Sequence, residues 1–410
     1  MLAELATLVR ARGEQAWLVG GAVRDRLLGR PIADLDVVVS GDAGDVADAL
    51  AALLGGSVRR HARFGTATLE LPAEARGGRE AVRVDLARPR RETYAHAGAL
   101  PDVSFAATLE EDLARRDFTI HSMALPLAGP ARRIDPFGGA EDLAAKRIRI
   151  LHERSFQDDP TRAFRAVRYA ARLGFGIVPA SARLIREAVA SGAVGAVSGD
   201  RLLRELSLIL AEPARVASAA LLARLGLDGA IAPGLARRGV GARLRAAASA
   251  AGRLGLGVGI VALDPLCYLL AWMGDASPRE LREVADRLGL AGRVRETWLG
   301  WPATRARGAG FARAGAGERA RRVRGIRPEL AAAVAATLSP RDRAAWIAAV
   351  REPLPGLLIR GRDLLAAGVP PGPRVGEALA RTLEAREEGR IDAEEELEFA
   401  LAAAREGLRS

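Results

Sequence analysis

Asp34 and Asp36 stand two residues apart in the run DLDVVV, residues 34–39. On a strand that spacing projects both side chains from one face. Two carboxylates side by side repel unless a cation neutralises them. Hard oxygen donors of this kind suit Mg²⁺, which is held by one or two carboxylates plus substrate phosphates. Asp85, in the second apolar run AVRVDLA, is a third candidate from an adjacent strand. The competing reading, that DLD merely closes a loop and opens a strand, accommodates Asp34 but not Asp36, which lies inside the run.

Upstream, the stretch LVGGAVRDRLLG places Gly20 and Gly21 between an apolar run and an amphipathic one. A glycine turn at a helix start lets backbone N–H groups approach a phosphate closely. Arg24 adds a positive charge one turn in. Gly-Gly before a helix is common in ordinary connections. Its order here, before paired carboxylates on the following strand, is what suggests nucleotidyl transfer.

These residues need elements to hold them. ADLDVVVS, TATLEL, AVRVDLA and FTIHSMAL read as strands, and GDVADALAALLGG as a helix stopped by Gly55-Gly56. From Asp135 onward strand signals nearly vanish and helical segments follow one another, so the fold class is α+β: a small α/β head before a long helical body. PLCYLLAWMG, which holds the single cysteine Cys267, reads as buried helix and its thiol as core. The Gly/Ala/Arg-rich stretch Trp301–Arg327 reads as a solvated loop, with a phosphate-facing basic surface as the second reading.

The 410 residues carry a net charge of +11, which favours a polyanionic partner, nucleic acid before membrane. One cysteine excludes an internal disulfide or a cysteine metal cluster, and four histidines leave little room for zinc chemistry. Without a secretory signal or an apolar span, the expected location is cytoplasmic.

The stretch from Leu18 to Val39 resembles the first motif of the bacterial (class II) tRNA nucleotidyltransferase and poly(A) polymerase family. VDLARPRRETY with GALPDV, EEDLARRDFTIHSMA, IDPFGGAEDLAAKRIRIL and DDPTRAFRAVRYAARLGF follow in the family's order, through Phe175. A fainter likeness covers Gly361–Leu379, as in the family's C-terminal tail. The resemblance implies a polymerase-β-like nucleotidyltransferase head (1–127), an all-helical neck with base recognition (128–200), and a helical body and tail binding tRNA (201–410).

It further implies joining of CTP and ATP to the tRNA 3′ end as CCA, or as CC or A, with release of pyrophosphate by a two-metal mechanism. Asp34 and Asp36 match the metal pair, with Asp85 a catalytic third carboxylate. Gly20, Gly21 and Arg24 would hold triphosphate, and Arg116 and Asp117 the sugar and phosphates. His121-Ser122 stand where the family has Asn-Ala, the asparagine serving ribose recognition.

In the same way Asp159 and Arg162 would read the base. Cytosine and adenine both present an amino donor beside a ring-nitrogen acceptor, which a carboxylate and a guanidinium complement. A cap-and-ion-pair reading of Asp159 and Arg162 competes. Arg165 and Arg168 would contact phosphate or carry the base-reading residues by packing, and Gly138, Gly139 and Asp142 match a hinge-like segment. Body arginines would bind the acceptor and T arms through phosphates. The alternatives are a poly(A) polymerase and, from another class, a catalytically inactive RNA-binding protein.

Overall fold

A mixed six-stranded sheet organises the head in the computed structural model, which describes residues 1–32, 34–61, 64–72, 82–105, 107–129, 132–256 and 264–406. After helix α1 (Leu2–Ala11) come strand β1 (Ala16–Val19), helix α2 (Gly21–Leu27), strand β2 (Leu35–Val39) and helix α3 (Ala43–Leu54). Strands β3 (Ser57–His61), β4 (Thr66–Leu71) and β5 (Val82–Ala87) follow. Next are a two-stranded ribbon of β6 (Arg91–Thr93) and β7 (Asp102–Ser104), helix α4 (Leu109–Ala114) and strand β8 (Ala124–Pro126). The sheet order is β3–β4–β5–β2–β1–β8, with β2 and β5 parallel and the other neighbours antiparallel.

Alternation along the strands separates the two faces. Leu35, Val37 and Val39 of β2, Val84 and Leu86 of β5, and Leu69 and Leu71 of β4 are all buried. Helix α3, capped by the Asp42 carboxylate on the backbone N–H groups of Gly44 and Asp45, packs on β3, β4 and β5. Asp36, Asp85 and Thr68 belong to the opposite parity. On that parity Val38 and Val19 pack against Leu113 of α4, with Phe137 and Ile134 alongside. Helix α4 is started by a capping box between Thr108 and Glu111, and its end delivers Arg116 beside Asp36.

Two expectations shift at this level. FTIHSMAL is not one strand: Thr119–His121 forms a 3₁₀ turn and only Ala124–Pro126 joins the sheet. Asp34 lies just before β2, in an exposed bend, so the two aspartates do not both sit on the strand.

Beyond the head come α5 (Gly139–Ala144), α6 (Ser155–Asp158), α7 (Thr161–Leu173), α8 (Pro179–Ala190) and α9 (Gly199–Ala211). Gly139 sits so close to the Thr119 carbonyl oxygen that a Cβ would meet it at 2.2 Å. Buried Asp142 accepts from the Thr119 hydroxyl and the Arg149 guanidinium, each at 2.7 Å. These bonds tie the segment after the sheet to the turn at Thr119.

The chain divides into two units, Met1–Glu205 with Leu221–Ile231, and Leu206–Ala220 with Ala232–Ser410. The stretches expected as head and neck lie together in the first. The second is helical throughout its described residues. Trp272, Trp298, Trp301 and Trp346 are buried there, and each indole N–H donates to a backbone carbonyl, of Leu235, Leu281, Gly274 and Ala331 respectively. Buried indoles need such partners. Cys267 lies in the buried helix Pro265–Met273, and burial pushes its thiol up to about 12. Part of the apolar window before it, residues 257–263, falls outside the described residues.

The stretch Trp301–Arg327 is not the solvated loop expected of it. It is mostly helical, over Trp301–Ala306 and Ala316–Val323. Two of its arginines cap carbonyls: Arg307 donates to the oxygens of Arg322 and Arg324, and Arg319 to those of Phe311 and Ala312, while Arg313, Arg321 and Arg327 are exposed. The weak periodicity reflects short helices joined by guanidinium bridges. Among the described residues no helix is long and apolar enough to cross a membrane.

Candidate active site

Register brings the carboxylates together. Asp36 of β2 is the direct partner of Asp85 on parallel β5, and Asp85 in turn pairs with Thr68 on β4. Thr68 donates its hydroxyl to Asp85 Oδ1 at 2.7 Å, and Arg83 makes an ion pair with Asp85 Oδ2 at 3.1 Å. Burial pushes the Asp36 carboxyl above the usual carboxylate range. Arg116 opposes that shift, while Asp85 and Asp34 add to it.

A carboxylate in that position favours a neutralising cation. Among the described residues no three His, Cys, Asp or Glu side chains form a complete metal cage. The donors present are oxygens only and leave most of a coordination shell to substrate and water. That set fits Mg²⁺ better than Zn²⁺.

Gly20 closes the site from the other side. Its φ of +66° is a left-handed conformation, and a Cβ there would lie 3.0 Å from Arg116 Nη1 and 3.4 Å from Asp36 Oδ2. Glycine is therefore required twice, for backbone and for space. Arg116 Nη2 donates to Asp112 Oδ2 at 3.0 Å, and Arg115 donates to Asp112 Oδ1 through Nε and Nη2. Burial pushes the fully buried Asp112 carboxyl up, but the two guanidinium groups more than offset it and its pKa is lowered. Arg116 Nε is buried without a hydrogen-bond partner among the described residues. A guanidinium near Asp36 with one N–H left unpaired suits an anionic ligand.

Arg24, expected at the triphosphate, is only 4% exposed. Its Nε and Nη2 donate to Asp25, and its Nη1 donates to His121 Nε2 at 2.6 Å. His121 Nδ1 donates to Asp117 Oδ1 at 2.8 Å, and Arg165 Nε donates to Asp117 Oδ2 at 2.7 Å. Burial pushes Asp117 up, yet Arg165 and His121 hold it well below the usual carboxylate range. Asp117 in turn pushes the Arg165 pKa up. Arg168 is buried against Tyr169 and forms an ion pair with Glu205. Arg24, Asp117 and Arg165 thus share one buried network through His121, while Arg116 belongs with Asp112 and does not pair with Asp117.

Asp159 and Arg162 diverge from the ion pair that their spacing allows. Helix α7 starts at Thr161, one residue later than the sequence suggests. Asp159 Oδ1 accepts from the backbone N–H and the hydroxyl of Thr161 and from Arg201 Nη2 at 2.8 Å. Arg162, 5% exposed, donates to Ser155 Oγ at 2.9 Å and to the Arg115 carbonyl at 2.8 Å, and lies over the Tyr94 ring. Among the described residues, Asp159 Oδ2 and Arg162 Nε have no protein hydrogen-bond partner in this arrangement. An acceptor on Asp159 and donors on Arg162 are thus left over, the group types that pair with an amino group and a ring nitrogen.

Several participants escape sequence reasoning. Asp112 could have been found from its i, i+3 and i, i+4 spacing to Arg115 and Arg116. Tyr94, Glu92 and Arg201 could not, because the contacts that tie them to Arg162, Arg115 and Asp159 span 68, 23 and 42 positions. Glu92 accepts from Arg90, Tyr94 and Arg115, and Arg201 also donates to the Gly98 carbonyl.

Comparison with known proteins shows the family. Residues 16–149 match the Poly A polymerase head domain. An A-adding tRNA nucleotidyltransferase of Geobacter sulfurreducens is 34% identical over 394 residues, 91% of this chain and 43% of that protein. A CC-adding tRNA nucleotidyltransferase of Deinococcus radiodurans is 34% identical over 393 residues, covering 94% of this chain and 88% of that protein. The chain spans less than half the length of the A-adding relatives it matches. A solved CCA-adding enzyme, in an apo form, superposes with a TM-score of 0.82 at 29% identity, covering 98% of this chain and 95% of the other. With head motif, near-full-length relative and fold in agreement, the chain belongs to the tRNA nucleotidyltransferase and poly(A) polymerase family.

Proposed function

We propose that this protein is a template-independent nucleotidyltransferase that adds CCA, or its CC or A part, to the tRNA 3′ end from CTP and ATP. The observation that carries the reading is the juxtaposition of Asp36 and Asp85 with Gly20 and the unpaired Nε of Arg116. Mg²⁺, held by Asp34 and Asp36 together with phosphate oxygens and with Asp85 as a neighbouring third carboxylate, would supply charge neutralisation at the reacting phosphate and activation of the attacking hydroxyl.

The chain's own residues would do the rest. Gly20 leaves room for a phosphate oxygen beside the carboxylates, and Arg116 donates to it from a position fixed by Asp112. Asp159 accepts from the base amino group and Arg162 donates to the ring nitrogen, so uracil and guanine meet like groups. Each such mismatch costs about 1–3 kcal/mol. The helical neck and body would grip the acceptor and T arms through phosphates, and the cytoplasm is the proposed location. Retention of the carboxylates and of the base-reading pair speaks against an inactive RNA-binding protein.

The test offers tRNA lacking CCA, tRNA ending in C, tRNA ending in CC, and a generic RNA, each with labelled CTP or ATP and Mg²⁺. Stopping after CC, adding one A, completing CCA, or building a long A tract each identifies one activity. No incorporation on any substrate overturns the proposal.

A further inference from the structure

Both ring nitrogens of His121 are committed. Arg24 has no acceptor, so the 2.6 Å contact between its Nη1 and His121 Nε2 requires Nε2 to be unprotonated. The ring proton is then on Nδ1, donated to Asp117 Oδ1 at 2.8 Å. The ring is 5% exposed and packs edge-on against Tyr169, with centroids 4.5 Å apart, and against Phe118. No hydrogen-bonding group of this side chain is left for a sugar hydroxyl.

What His121 does hold is Arg24. The guanidinium is clamped between Asp25 on one edge and His121 on the other. It lies under the start of α2, where a Cβ on Gly21 would come within 3.5 Å of Nη2. Of the five donors of Arg24, three are used by these partners and two remain. The geometry points to His121 as a positioning residue that fixes Arg24 beneath the Gly20-Gly21 turn, and not as a contact to the nucleotide sugar. This inference rests on the proposed nucleotidyl transfer and assigns the ribose choice to other groups.

The surroundings make the link sensitive to protonation. His121 is faced by Arg24 and Asp25 from α2, by Asp117 from the segment after α4, and by Arg165, Arg168 and Tyr169 from α7, with Glu205 of α9 behind Arg168. Burial lowers its pKa, Asp117 opposes the shift, and Arg24 and Arg165 add to it. A second proton would turn Nε2 into a donor aimed at a donor and release Arg24. Asparagine can accept from Arg24 and donate to Asp117 without titrating.

The experiment measures KM and kcat for CTP, ATP, dCTP and dATP with His121→Asn, His121→Leu, Arg24→Ala and the His121→Leu/Arg24→Ala double variant. His121→Leu is expected to raise KM about tenfold or more, from loss of a bond to a charged group. The factor should be equal for ribo- and deoxyribonucleotides, and the double variant should be no worse than Arg24→Ala alone. His121→Asn should keep KM near wild type and lose the rise in KM on acidification below the ordinary histidine range. A selective loss of ribose preference in His121→Leu, additive effects in the double variant, or an unchanged acid limb in His121→Asn overturns the inference.

Because a leucine in this core can impair folding, ¹⁵N NMR of the wild-type imidazoles gives a second reading. His121 should be the Nδ1–H tautomer, unchanged by ATP or dATP. An Nε2–H tautomer, or a response to ATP alone, overturns it. An inactive wild type would overturn the functional proposal instead, and the tautomer would still decide the tie to Arg24.

Discussion

Asp36 and Asp85 face each other as direct register partners on adjacent parallel strands, with Arg116 reaching towards Asp36 across the Gly20 backbone. Two like charges are placed together in a partly buried site, and the protein supplies only part of the compensation. The folded pKa of Asp36 is raised, so the unfolded chain gives up this proton first as pH rises. Stability is therefore lost as pH climbs from the ordinary carboxylate value of about 3.9 through the raised folded value. Asp36→Asn removes that cost. In metal-free buffer at pH 7 it should melt above wild type, bind tRNA normally and incorporate no nucleotide. Added Mg²⁺ should raise the wild-type Tm and leave that of Asp36→Asn nearly unchanged; at a hundred times Kd the gain is about 2.7 kcal/mol. Calorimetry with EDTA and with Mg²⁺ checks both.

Gly20→Ala tests the space between carboxylate and guanidinium. A left-handed φ costs a non-glycine residue roughly 1–2 kcal/mol, and the new methyl group would stand 3.0 Å from Arg116 Nη1. Incorporation should fall steeply while the protein stays folded. A control at Gly29, also left-handed but with nothing within 4 Å of a Cβ, should show the backbone cost alone. Equal activity losses at the two positions would remove Gly20 from the site.

The carboxylates, the glycine turn and the order of motifs were legible because each depends on local spacing: Asp36 inside an apolar run, Gly20-Gly21 before a helix. What spacing cannot carry is the choice of partner. Asp159 and Arg162, three apart, could pair, but Arg201 and Thr161 take the carboxylate and the Arg115 carbonyl takes the guanidinium. Arg24 reads as a free phosphate ligand until His121, 97 positions away, closes over it. The short helices of Trp301–Arg327 were read as loop for the same reason, since the carbonyl caps made by Arg307 and Arg319 leave no periodic trace.

Acid should unfold the first unit through two buried aspartates. The folded pKa values of Asp112 and Asp117 are lowered, by Arg116 and Arg115 in one case and by Arg165 and His121 in the other, against burial. Their contribution is fully present above the unfolded carboxylate value and is lost as pH falls through the folded ones. Stability should thus decline below about pH 4. Asp112→Ala leaves two arginines beside an emptied buried site, a change that costs about 3–5 kcal/mol where a buried pair is broken. Urea titrations across pH should show a shallower acid dependence in Asp112→Asn than in wild type.

Asp159→Asn separates base reading from chemistry. Its Oδ1 anchors Thr161 and Arg201 while Oδ2 is left open, so the amide can keep its oxygen on the anchoring side and present an NH₂ to the base. A donor then faces the amino groups of cytosine and adenine but matches the carbonyls of uracil and guanine. One reversed hydrogen bond of about 1–3 kcal/mol predicts a loss of roughly tenfold to a hundredfold in kcat/KM for CTP and ATP. Incorporation of UTP and GTP should rise relative to them. Arg162→Ala should lose the same discrimination and also stability, because it strips a donor from the Arg115 carbonyl and from Ser155. Single-turnover incorporation of all four nucleotides, alongside thermal melts, distinguishes the two variants. A uniform loss across the four in Asp159→Asn would mean that this carboxylate supports the fold of the site without reading the base.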